Sequence, residues 1–121
     1  MLFVVSCEEN VQNPDTTDIV FPKSNVSYTT SVEPLFQRSC SFIGCHGGTD
    51  PAMGLDLTTP SYSKLRDHQP TLVVGGEPNN SLLIQRLDGS IPPQMPLFRR
   101  PLTENQINGI KTWIAEGARL N

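Results

Sequence analysis

The chain has 121 residues and a formal net charge of −3, enough for one domain. It has no basic stripe of the kind that binds nucleic acid, and no apolar run long enough to cross a bilayer. Only 36% of its residues are apolar, while eleven are proline and nine are glycine. A core built from side chains alone would be thin, and a large apolar body to pack short helices around would suit this composition.

From the start, Met1-Leu2-Phe3-Val4-Val5-Ser6-Cys7 reads as the end of a secretory signal, residues 1–6, running into a cysteine. Val4-Val5-Ser6-Cys7 resembles a bacterial lipobox, in which the cysteine is lipidated and becomes the mature N-terminus. The basic region and longer apolar stretch of a full signal are then expected upstream of Met1. Glu8 rather than Asp follows Cys7, which points to the outer membrane. Residues 7–28 are rich in Glu, Asn, Asp, Thr, Pro and Ser and read as a flexible arm between lipid and domain, with Val20, Phe21 and Tyr28 able to pack locally. Residues 29–121 are expected to form the folded domain.

Within it, Ser31 is placed to cap a helix from Val32, with Pro34 in its first turn and Val32, Leu35 and Phe36 on its apolar side. That helix delivers Cys40. Thr59-Pro60 predicts a second helix to about Arg66, and Glu77-Pro78 a third, with Leu82, Leu83, Ile84 and Leu87 buried and Gly89 as its stop. Residues 90–102 hold too many prolines for helix or central strand. Thr103 and Gln106 predict a capping box for the last helix, whose Ile107, Ile110, Trp113 and Ile114 form an apolar stripe ending near Gly117. The fold class is all-α, about four short helices with long loops.

The chemistry concentrates in Cys40-Ser41-Phe42-Ile43-Gly44-Cys45-His46. Two thiols that add across the vinyl groups of a haem, with a histidine directly after the second, are the attachment motif of c-type haem. The usual spacing is two residues; here it is four, so the extra residues must bulge outward, with Gly44 helping the bend. Two other chemistries fit the same residues: a structural Cys40–Cys45 disulfide in an exported protein, or a metal site completed by His68 or a carboxylate.

From Val32 to Ala118 further motifs follow in order: Gly54-Leu55-Asp56-Leu57, Gly76-Glu77-Pro78-Asn79-Asn80-Ser81-Leu82-Leu83-Ile84, Gln94-Met95-Pro96 and Trp113-Ile114-Ala115-Glu116-Gly117-Ala118. With Val32-Glu33-Pro34-Leu35 and Cys45-His46-Gly47, they resemble the small monohaem cytochrome c domains of environmental bacteria, the planctomycete type. The resemblance implies one covalent haem c around which the helices fold, held by Cys40, Cys45 and His46, with Met95 as the second axial ligand. Pro92, Pro93 and Pro96 would stiffen the methionine loop, although Leu97 stands where the family usually has another proline. Met53 and His68 are the rival sixth ligands. Phe36, Leu55, Leu57, Leu83, Leu87, Leu97 and Trp113 are candidates to line the pocket, and Arg99 and Arg100 to meet a propionate or a partner.

The implied function is electron transfer between larger redox proteins from a lipid anchor facing the periplasm or cell surface. No enzymatic activity, nucleic acid or small-molecule substrate is expected. A haem-based sensor with an open sixth site and a structural, disulfide-bonded module are the alternatives.

Overall fold

The computed structural model describes residues 16–41, 45–48, 50–96 and 100–121. Cys7, the bulge expected around residues 42–44, Leu97 and Arg99 lie outside the described residues. Four α-helices carry the fold: α1, Glu33–Ser39; α2, Tyr62–Asp67; α3, Leu82–Leu87; and α4, Glu104–Ala115. Among the described residues there is no strand.

The longest helix, α4, follows its sequence signals closely. Thr103 accepts from the Gln106 amide at 3.1 Å, and the Gln106 side chain accepts from the Thr103 amide at 2.9 Å. Its buried stripe carries Ile110, Trp113 and Ile114, and Gly117 follows with φ 111. Gln106 is fully buried, and its amide nitrogen donates to the carbonyls of Thr16 at 2.8 Å and Ile19 at 3.0 Å, so its burial leaves no polar group unmet.

Of the three shorter helices, α2 and α3 start later than their sequence signals suggest, while the helical run into α1 starts earlier. A single wide turn of π type, Tyr28–Val32, precedes α1 and is capped by Ser27, whose Oγ accepts from the Thr30 amide at 3.1 Å. Ser61, not Thr59, precedes α2, because Glu33 takes both its amide (2.7 Å) and its hydroxyl (3.0 Å). Pro78–Asn80 forms only one 3₁₀ turn. The Ser81 hydroxyl then bonds the Glu77 carbonyl and accepts from the Val74 amide, each at 2.9 Å, and α3 begins after it.

From Thr16 onward, the segment expected to be an arm contributes to the core: Phe21, Val26 and Tyr28 are buried while Val20 is exposed. Tyr28 sits 5.1 Å from the Trp113 ring and 5.2 Å from Tyr62, centroid to centroid. Burial pushes its phenol well above the usual tyrosine range, against the lowering effect of its bond to Ser61. Residues 25–28 meet the C-terminal residues here: Glu116 accepts from the amides of Asn25 (2.8 Å) and Val26 (3.0 Å), and the Asn121 side chain from Tyr28 (2.9 Å).

Phe21 reaches the core over Gly109 of α4, where a Cβ would lie 2.2–2.4 Å from Phe21 atoms. Overpacking of this kind costs about 1–3 kcal/mol, and the gain in helix propensity returns about 1. Gly109→Ala is therefore expected to lower unfolding stability by about 1–2 kcal/mol in urea titration. A variant more stable than the wild type would show that Phe21 does not pack there.

Candidate haem site

Helix α1 ends at Cys40, whose amide donates to the Phe36 carbonyl at 2.7 Å, and Cys40 and Cys45 are both buried. The chain turns back at once: the His46 amide donates to the Cys40 carbonyl at 3.1 Å. Cys40 and His46 are thus brought together by a backbone bond across the motif.

The segment 52–57 then closes over the Cys45–His46 pair. The Ala52 amide donates to the Cys45 carbonyl at 2.5 Å, and the Leu57 amide to the His46 carbonyl at 2.7 Å. Between them the Leu55 carbonyl lies 2.9 Å from Nδ1 of His46. A carbonyl oxygen only accepts, so Nδ1 carries the proton and the lone pair of the neutral ring sits on Nε2. Burial lowers the pKa of His46 below its ordinary value, with the backbone bonds to Leu55 and Ala52 acting in the other direction. A neutral imidazole with Nδ1 tied to a carbonyl is the form that donates to a metal.

The closing segment is itself braced. Gln37 of α1 donates to the Leu57 carbonyl at 2.6 Å. Asp56 accepts from the amide (2.9 Å) and hydroxyl (2.6 Å) of Thr58 and faces Lys64 of α2 at 3.2 Å. The Thr58 bonds, then Lys64, hold its pKa down to about 2 from 3.8. A depressed carboxylate stabilises the fold above its unfolded pKa of 3.8, and the contribution disappears as pH falls through about 2. Asp56→Asn should thus be less stable than wild type at neutral pH, with the gap closing as circular dichroism is followed down to about pH 2. A gap that persisted at full size in acid would contradict this role.

Met95 lies on a separate loop stitched to α3. Its amide donates to the Arg86 carbonyl at 2.8 Å, Arg86 donates to the Pro92 carbonyl at 2.9 Å, and Gln94 to the Leu87 carbonyl at 3.0 Å. The Met95 side chain is half-buried and packs against the core. Neither rival resembles it. Met53 is 84% exposed. The two ring nitrogens of His68 lie 3.1 Å from the Pro70 carbonyl and 3.0 Å from the Met53 carbonyl.

Phe36, Leu55, Leu57, Leu83, Leu87 and Trp113 are all buried in one core, and Arg100 is exposed. Among the described residues no three His, Cys, Asp or Glu side chains gather as a metal-binding group. Sequence reasoning missed the Leu55 carbonyl and the 52–57 closure, because backbone acceptors leave no side-chain signature.

No curated protein and no solved structure matches the chain. Residues 43–96 match the family model described as Planctomycete cytochrome C. The matched stretch takes in Cys45, the oriented His46 and Met95, and leaves Cys40 and α4 outside. Together with the helical fold, this match over residues 43–96 supports a planctomycete-type cytochrome c-like domain in the chain.

Proposed function

We propose that the chain is a monohaem c-type cytochrome that passes single electrons between redox protein partners. Its haem would be bound covalently through Cys40 and Cys45 and ligated by His46 and Met95. The observation that carries this reading is the His46 ring, tied through Nδ1 to the Leu55 carbonyl, within the stretch that matches the cytochrome family.

When bound, the haem iron supplies reversible one-electron chemistry. The chain's own work is to hold and shield. The Leu55 carbonyl draws on the Nδ1 proton and makes the ring a stronger donor. The loop bonds to α3 hold Met95 in place, and its thioether favours the reduced metal. Buried Phe36, Leu55, Leu57 and Leu87 exclude water from the surrounding core. The exposure of Met53 and the carbonyl contacts of His68 favour Met95 over both rivals.

The lipobox-like Val4-Val5-Ser6-Cys7 and the polar residues behind it support lipidation at Cys7. The same reading puts the domain on the periplasmic or outer-membrane surface.

Redox titration of the full chain, matured with haem, tests the carrier role. A single reversible one-electron wave is expected, with no uptake of carbon monoxide by the reduced protein; ready uptake would favour the sensor alternative. The ferric protein should also show a weak sulfur-to-iron charge-transfer band in the near infrared. Met95→Ala is expected to abolish that band, keep the haem attached and open the iron to added imidazole. A band that survives in Met95→Ala and disappears in Met53→Ala would move the ligand to Met53.

A further inference from the structure

The Leu55 carbonyl that orients His46 sits at the end of an unusual turn. Met53 has φ 55 and Gly54 has φ 71, two consecutive residues in the left-handed region. For methionine this conformation costs about 1–2 kcal/mol, and it persists only where the surroundings hold it. Packing does not hold it: the Met53 side chain is 84% exposed, and nothing lies within 4 Å of where a Gly54 Cβ would stand.

What does reach the turn is α2. His68, at the C-terminal end of the helix, places Nε2 3.0 Å from the Met53 carbonyl. Lys64, one helical turn earlier on the same side, reaches Asp56 at 3.2 Å. The two contacts bracket Leu55 in the chain, and both side chains line the open cleft of 390 Å³ between this loop and α2.

We propose that His68 is a positioning residue for the iron-binding histidine. It pins the Met53 carbonyl, fixes the left-handed turn, and so sets the Leu55 carbonyl that accepts from His46 Nδ1. This rests on the reading of His46 as the haem ligand. Loosening the bond at Nδ1 makes the imidazole a weaker donor, which favours the reduced iron. Loss of the His68 contact therefore raises the reduction potential without touching the haem.

The test uses the full haem-loaded chain and two variants: His68→Leu, which lacks a donor, and His68→Gln, which keeps one. Proton NMR of the reduced protein reads exchange of the His46 Nδ1 proton with solvent. His68→Leu is expected to exchange about tenfold faster, as weakening one ordinary hydrogen bond would give, and to show a higher potential. His68→Gln should move both back toward wild type. Wild-type values for both in His68→Leu would overturn the proposal.

A measurement on the unsubstituted protein stands independently of either variant's folding. The amides of Gly54 and Leu55, bonded to Pro51 and Ala52 at 3.0 Å each, should be protected from deuterium exchange. Free exchange there would mean that the turn is not held and would equally overturn the proposal. A colourless wild-type protein would overturn the functional reading itself, an outcome visible before any variant is made.

Discussion

His46→Gly is expected to abolish the low-spin absorption of the haem-loaded protein and to make the spectrum respond to added imidazole. The residue is held at three points: its amide donates to the Cys40 carbonyl at 3.1 Å, its carbonyl accepts from Leu57 at 2.7 Å, and its ring Nδ1 meets the Leu55 carbonyl at 2.9 Å. Glycine keeps the backbone bonds and leaves a ring-sized gap ending on the Leu55 carbonyl. Imidazole entering that gap can donate to the same oxygen, so low-spin absorption should return saturably with concentration. N-methylimidazole lacks the N–H and should bind about tenfold more weakly, the worth of one hydrogen bond. An unchanged spectrum in His46→Gly would remove His46 from the iron.

Trp113→Ala is expected to cost about 3–5 kcal/mol, the usual range for deleting a large buried aromatic side chain. Trp113 is 1% exposed and packs against both Tyr28 and Tyr62. Its indole N–H donates to the Arg119 carbonyl at 2.8 Å, tying the tail beyond α4 to the core. Small domains have a total stability of about 5–15 kcal/mol, so this one change approaches the limit of what the fold can lose. Trp113→Phe keeps most of the apolar volume and loses the N–H, and should fall between alanine and wild type in urea unfolding. A loss below about 1 kcal/mol in Trp113→Ala would mean that the aromatic cluster is not the centre of the core.

The parts of the fold legible in the sequence are those written in local chemistry. Thr103, Gln106 and the Ile110–Trp113–Ile114 stripe announce α4 because capping and helical periodicity act within a few residues. The start of α2 moved where a distant group intervened: Glu33 takes the amide of Ser61, twenty-eight positions away, and nothing near Thr59 encodes that. The packing of Phe21 against Gly109 was illegible for the same reason, since a polar-looking segment gains its order from a helix at the other end of the chain.

At the site, the residue types Cys40, Cys45, His46 and Met95 stand out in the sequence, and three of them fall within the family match. The groups that meet His46 and Met95 are the carbonyls of Leu55 and Arg86, which any residue supplies and no motif displays. A structure was needed to see that the Gly54-Leu55-Asp56-Leu57 segment closes over the histidine.

The central claim is covalent haem on this chain, and intact mass read together with a pyridine haemochrome spectrum tests it most directly. The full chain, matured by a c-type haem machinery, should carry the mass of one haem that survives denaturation and acid–acetone extraction. The haemochrome should have the band position of two thioether bonds, shifting to that of one in Cys40→Ala and in Cys45→Ala alike. A mass equal to the polypeptide alone, or to its disulfide-bonded form, would contradict the account.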